Sequence, residues 1–412
     1  MSRVDAFDGL RCFLLLALLE LHYGLAAGQP MGLLWPLTLA LVFFFVLSGF
    51  LITRVLLEQP ALPLKSALLR FWWRRCWRIL PAYYVVICLA GWIYQAPYAG
   101  WLSVYLFNYK IYSLSVAAGT DFVDFMSLGA VSGIHLWSMN VEEQFYLLYP
   151  IFFLICPPAR RGVFLILGLL VSISWRQWAL RHQPHACYGI LLPVAGEHLL
   201  WGCLLAWLDH RQSLNWLRRP PFLYLALFGL AWLVLREPSS AGYRWGLLAP
   251  PQQSGYALTM AVIILGLQYN PRSYLTKILA WRPFVVVGRL AYGAYLLHPY
   301  LIPPLGELVR RYPGLAPYPP VPLAFIGPPL TLALAAAMWL SFEGPANRLK
   351  DRLPLLSGER GGGGRGKTKN PQQIGHSQGE NQMQQGPEVV KSFLVEEAQS
   401  GTGGPGQVEL PD

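Results

Sequence analysis

Charge is scarce in this chain: only 13% of its 412 residues are Asp, Glu, Lys or Arg, against roughly 25% in an ordinary soluble domain. With 54% of residues apolar and a mean hydropathy of +0.39, that shortage excludes a soluble globular protein. Cysteine is sparse as well. Cys12, Cys76, Cys88, Cys156, Cys187 and Cys203 show no paired spacing, and most lie in or beside apolar runs, so neither a disulfide framework nor a metal site is expected. No small-residue cleavage site ends the first apolar run, which carries Arg11, Glu20 and His22; no removable signal peptide is read, and the N-terminus is expected to stay. A Gly-rich phosphate loop, an HExxH pair and a GxSxG elbow are all missing, and no cofactor is expected.

What is present is a series of apolar runs near the ~20 residues that cross a bilayer as a helix. Residues 37–57 hold Arg54 as their only charge. Bounding such runs by Pro, Gly and charge gives ten candidate spans: 9–27, 33–55, 79–97, 138–157, 162–179, 190–208, 220–236, 254–270, 284–304 and 321–341. Segment 101–116 reads as a further short or re-entrant piece. The expected fold class is therefore all-α, a polytopic transmembrane helix bundle of about ten spans over residues 1–352. Residues 353–412, with glycine at 361–364 and few large apolar residues, read as a disordered cytoplasmic tail.

The basic excess belongs to the membrane part. From Leu355 onward there are five basic and seven acidic residues in a chain of net charge +11. Loop asymmetry and anionic lipid headgroups explain such an excess, and nucleic acid is not an expected partner. With the N-terminus inside, the ten spans leave 18 Lys and Arg on cytoplasmic segments and 7 outside, which puts both termini in the cytoplasm.

Ionisable groups within a span cost at least ~2.5 kcal/mol each on insertion scales, so those that persist face a cavity or a partner. Arg11 and His22 are eleven residues apart, three helical turns plus about 20°, which places them on one face and about 16 Å apart along the axis. On this count Arg11 sits near the cytoplasmic surface and His22 deep in the membrane. His22 reads either as a hydrogen-bonded helix contact or as a proton-transferring base. In the stretch from Arg70 to Arg78, the guanidiniums of Arg70, Arg74, Arg75 and Arg78 share one helical arc opposite Trp72, Trp73, Cys76 and Trp77. Such a helix would lie at the cytoplasmic interface, either anchored to lipid phosphates or gripping a polyphosphate or nucleotide donor bidentately.

From His135 to Pro150 the chain runs through His135, Ser138, Asn140, Glu142, Glu143, Gln144 and Tyr146 into an apolar span. Helix capping accounts for one acid but not for this density, so a site is expected here. Lesser candidates are Ser48 beside Gly49, most simply a close-packing notch; Glu197 with His198, readable as a mutual pair; Arg289 with Tyr292, Tyr295 and His298; and Glu343. Arg289 and His298 are nine residues apart and half a turn out of phase, so they cannot share a helix face.

These motifs in this order resemble the membrane acyltransferase-3 family of bacterial O-acyltransferases. The resemblance covers roughly residues 5–350. It is carried by Asp8-Gly9-Leu10-Arg11 with ten residues before His22, the run from Phe44 to Ile52, and Arg75-x-x-Arg78 followed by Ile79-Leu80-Pro81. It continues through Trp137-Ser138 to Glu142, Gln144 and Tyr146, then the run from Gly288 to Pro299, and ends at Glu343-Gly344-Pro345. Each motif alone is unspecific; six in series are specific. The resemblance implies a ten-helix membrane domain in a bacterial inner membrane that moves an acyl group, often acetyl, from cytoplasmic acyl-coenzyme A to a hydroxyl of a saccharide, glycolipid or related envelope acceptor.

By the same resemblance, Arg11, His22, Arg75 and Arg78 are functional, with Arg74 beside them on the donor side. Glu142 joins His22 and Arg11 as a candidate catalytic residue. Gln144, His135, Glu143, Ser48, Arg289 and Tyr292 are candidates for orienting or acceptor-binding roles. Some members carry an extra periplasmic hydrolase-like domain that this sequence does not show, which implies direct transfer or a separate periplasmic transferase partner. Asn140 stands where serine is commoner. The competing expectation is a multi-pass secondary transporter of an anionic or glycan-related solute. No two-fold internal repeat supports it.

Overall fold

In lipid every backbone N–H and C=O must find its partner within the chain, so apolar runs of this length have helices as their only open-ended solution. A computed structural model describes residues 4–94, 98–119, 133–183, 186–236, 250–312 and 321–349. No β-strand occurs among the described residues. The long helices are α1 (Asp5–Ala26), α2 (Leu39–Glu58), α3 (Leu64–Tyr94), α4 (Trp137–Ile155), α5 (Arg161–His182), α6 (Leu192–His210), α7 (Pro220–Arg236) and α8 (Pro250–Tyr269). After them come α9 (Arg282–Arg289), α10 (Ala291–Arg311) and α11 (Val321–Met338), the last continuing through a π turn at Trp339–Glu343 into Gly344–Leu349.

Each of the ten apolar segments carries a helix, but the tenfold span count is not carried over whole. Among the described residues five helical stretches are individually long and apolar enough to cross a membrane, and a sixth is added if α9 and α10, bent by 63°, form one span. Helix α4 falls short because Asn140, Glu142, Glu143 and Gln144 dilute its apolar face, and α7 because it has only 17 residues. The chain is nonetheless a multi-pass membrane protein. The interfacial helix and the span expected at 79–97 are a single helix, α3, which runs through Pro81. The expected piece at 101–116 is two short helices, Ala99–Ser103 and Phe107–Ala118. Residues 353–412, read as a disordered tail, lie outside the described residues.

Two apolar clusters meet across α2. Phe45 and Ile52 join Tyr83, Val86, Phe107, Val141 and Phe153 on one side, while Val46 and Phe50 join Phe7, Leu10, Tyr256 and Ile264 on the other. Glycine sets how closely the helices cross. A Cβ on Gly49 would lie 1.9 Å from the Leu199 carbonyl oxygen and one on Gly202 2.0 Å from that of Val46, so α2 and α6 touch backbone to backbone. The same device presses α1 against the α9 region, where a Cβ on Gly9 or Gly288 would lie 1.7 Å from the carbonyl oxygen of Leu279 or Asp8 respectively.

Arg176, one of the seven charges counted outside the membrane, is buried within the bundle. Arg176 lies in α5 with its side chain fully buried, 2.9 Å from Glu197 of α6, which in turn accepts a 2.6 Å hydrogen bond from Ser254 of α8. The expected Glu197–His198 pair is therefore replaced: adjacent residues on a helix point about 100° apart, and Glu197 turns to Arg176 while His198 turns its Nδ1 to the Ala195 carbonyl at 3.2 Å.

Candidate active site

The end of α1 is fixed by Tyr23. Its ring seats on Gly327 of α11, where a Cβ would lie 2.3 Å from the ring, and its hydroxyl lies 2.8 Å from Thr331 and donates to the His298 carbonyl at 3.3 Å. This clamp turns the neighbouring His22 toward α10, so that His22 Nδ1 lies 3.0 Å from His298 Nε2 and 3.1 Å from the Leu18 carbonyl oxygen. His298 is buried, and its own Nδ1 lies 2.8 Å from the Tyr295 carbonyl and 3.2 Å from that of Ala294. His135 completes the group, its ring centroid 5.4 Å from those of His298 and Tyr295. Tyr295 donates its hydroxyl hydrogen to the His135 carbonyl and lies 2.7 Å from Ser138 Oγ. His22 is four residues from the end of α1, about 6 Å along its axis.

A second group joins α2, α3 and α4. Ser48 donates to Glu142 Oε1 at 2.8 Å and accepts from the Tyr146 hydroxyl at 3.3 Å. The Arg75 guanidinium lies over the Tyr146 ring at 4.8 Å and the Phe71 ring at 5.8 Å, a cation–π placement that keeps its charge beside the carboxylate. Trp72 pins the same turn of α4 by donating to the Tyr146 carbonyl at 3.0 Å. Glu143, the next residue, has its Oε1 buried with no hydrogen-bond partner among the described residues. Ser48 thus belongs to this group, while Gly49 supplies the packing notch.

The third group lies at the start of α1. Arg11 donates to the buried Asp8 at 2.8 Å, an i, i+3 pair, and Arg289 approaches Asp8 at 3.9 Å and Asp5 at 4.0 Å. Arg78 lies within electrostatic reach of Arg11, Arg75 and Asp8, which links this group to the second. Arg74, one helical turn before Arg78 on the same face of α3, is exposed, as is Arg78.

Not every candidate joins a group. Gln144 donates to the Tyr105 carbonyl at 2.7 Å and to Asn108 at 2.9 Å, and Asn140 accepts from the Phe107 backbone N–H at 3.0 Å, so both tie the second short helix and the link before it to α4. Tyr292 donates to the Ile79 carbonyl at 2.8 Å. Arg289 and His298 serve different groups, separated by the break at Leu290. Among the described residues no cluster of three or more His, Cys, Asp or Glu is placed to hold a metal ion. Asp8, part of the Asp8-Gly9-Leu10-Arg11 motif, is a further residue of the third group. Its i, i+3 spacing to Arg11 was the readable signal of an ion pair.

A family model described as Acyltransferase domain matches residues 4–340. A peptidoglycan O-acetyltransferase, OatA, of Listeria monocytogenes is 30% identical over 323 residues, covering 72% of this chain and 49% of that protein. The O-acetyltransferase OatA of Staphylococcus aureus is 26% identical over 317 residues, covering 72% of this chain and 50% of that protein. The chain thus spans about half the length of the curated relatives it matches. No solved structure matches. The transporter alternative gains no support from these matches.

Proposed function

The chain belongs to the acyltransferase-3 family, and from that premise we propose that it is an integral-membrane O-acyltransferase of a bacterial cytoplasmic membrane. It takes an acetyl or other short acyl group from acyl-coenzyme A on the cytoplasmic side, where both termini lie, and passes it to a hydroxyl of a cell-envelope saccharide. Peptidoglycan is the acceptor class that the name of the Listeria relative supports.

The observation that carries the reading is the polarity of α1. One rigid helix holds Arg11 near its start, within reach of Arg78 and through it Arg75, and His22 near its end, about 16 Å further along. Guanidinium groups suit the phosphates of the donor, and its long flexible arm carries the thioester from there toward the imidazole. His22 then acts as general base: it takes the hydroxyl proton while the oxygen attacks the thioester carbonyl, and it returns that proton to the departing thiolate. Ester and free thiol are the products, and no further reactant is needed. Glu142, held by Ser48 and flanked by Arg75, is placed to orient the donor or acceptor.

Acylated product formed from labelled acetyl-coenzyme A in membranes, normalised to inserted protein, tests this reading. His22→Gln keeps polarity and loses basicity, so transfer should fall about 10²- to 10⁴-fold. Near-normal transfer would remove His22 as the base and shift the role to Glu142, Glu143 or His135.

A further inference from the structure

The hydrogen bonds around His22 determine which of its nitrogens is free to act. Pro299 lies inside α10 and has no N–H. The carbonyl four residues earlier, that of Tyr295, therefore lacks its helical donor, and a buried carbonyl left unpaired is costly. His298 supplies the missing hydrogen: its Nδ1 is 2.8 Å from that oxygen and 3.2 Å from the Ala294 carbonyl. A carbonyl can only accept, so Nδ1 of His298 is the protonated nitrogen, and in the neutral ring Nε2 carries the lone pair. That Nε2 lies 3.0 Å from His22 Nδ1. Two acceptors thus converge on His22 Nδ1, the His298 Nε2 lone pair and the Leu18 carbonyl at 3.1 Å. The hydrogen of a neutral His22 must sit on Nδ1.

We propose that His298 is the positioning residue of the His22 base, holding it in the Nδ1-protonated tautomer with the lone pair on Nε2, the nitrogen that receives the acceptor's proton. This rests on the acyltransfer reading above and extends it. When His22 takes the hydroxyl proton on Nε2 it becomes an imidazolium, and its Nδ1–H bond to His298 becomes charge-assisted and stronger. The gain comes after the proton has moved, where it lowers the barrier rather than merely binding the ground state. The O–H bond of the acceptor and the C–S bond of the thioester break, a C–O bond forms, and the proton ends on sulfur. His298 keeps its own proton throughout, because Tyr295 and Ala294 hold it. The Tyr23 hydroxyl on the His298 carbonyl keeps α1 and α10 in register for this contact.

The test uses the full chain in bilayers with ring-15N-labelled histidine, the His22 signals being identified by their loss in His22→Gln. The expected spectrum shows His22 protonated at Nδ1 with an unprotonated Nε2, and a through-hydrogen-bond coupling between His22 Nδ1 and His298 Nε2. In parallel, transfer per inserted protein is measured for two variants. His298→Leu removes the acceptor and should lose about 10²-fold or more; His298→Gln offers a carbonyl oxygen at the same reach and should recover at least a tenth of wild-type transfer. A His22 protonated at Nε2, or equal transfer in His298→Leu and wild type, overturns the proposal. Equal loss in both variants also overturns it, because a purely structural role would not distinguish an acceptor from a methyl group. The spectrum needs no turnover, so it stands if the acyltransfer reading fails and falls only if the tautomer assignment is wrong.

Discussion

The pair formed by Arg176 and Glu197 permits a sharp energetic test. Both side chains have no solvent exposure and sit 2.9 Å apart, and Ser254 holds the second carboxylate oxygen at 2.6 Å. Removing one partner of such a pair strands a charge in a medium that cannot solvate it, which costs about 3–5 kcal/mol. Arg176→Met leaves Glu197 with only the Ser254 hydroxyl, and Glu197→Leu leaves Arg176 with the Val194 carbonyl at 3.2 Å. Each single variant should therefore lose about 3–5 kcal/mol. Removing both charges relieves both desolvation penalties and leaves one hydroxyl and one carbonyl to rearrange. Ser172 already donates to the Val194 carbonyl at 3.4 Å, so the double variant should cost under about 2 kcal/mol, less than either single change. Denaturant unfolding in detergent micelles, followed by fluorescence of the 16 tryptophans, supplies the three values. They should hardly change with salt, because a buried pair is poorly screened. Single losses below about 1 kcal/mol, the worth of an exposed pair, or a double loss equal to the sum of the singles would refute the reasoning.

The remaining expectations concern packing, donor use and orientation. Gly202→Ala drives a Cβ to 2.0 Å from the Val46 carbonyl and should destabilise the α2–α6 contact by at least ~1–3 kcal/mol, whereas Gly306→Ala, with nothing within 4 Å, should be neutral or slightly stabilising in the same unfolding assay. Arg75→Ala and Arg78→Ala should each lower kcat/KM for acetyl-coenzyme A about 10- to 150-fold, the equivalent of a charge-assisted contact worth ~1.5–3 kcal/mol, with Arg70→Ala as the comparison; equal losses of inserted protein in all three at unchanged specific activity would mean lipid anchoring instead. A reporter that matures only in the periplasm should give signal when fused after Ala118 and none when fused to the C-terminus, and the reverse pattern would overturn the donor-side placement of the arginines.

Membrane character, helical class and the places where most helices lie were legible from composition and apolar run length, because lipid leaves a backbone so few alternatives. Relations within one helix were legible too. The 3.6-residue period alone puts Asp8 under Arg11 and ranks Arg11 and His22 along a single face. Even there, run length misjudged what interrupts a helix: α3 joins the arginine-rich stretch to the span expected to start at residue 79, while the span expected at 284–304 bends at Leu290 with no proline at the break. Relations between helices were not legible. His22 meets His298 across 276 positions and Ser48 meets Glu142 across 94. The sequence tells that a buried carboxylate or imidazole must find a partner, but not which one. Glu197 shows the limit, since its neighbour His198 was the near candidate and Arg176, from another helix, is the partner. That choice is made by how closely and at what rotation the helices cross. Gly9, Gly49, Gly202 and Gly288 allow backbones to touch, and the touching backbones decide which polar side chains are brought within hydrogen-bonding distance.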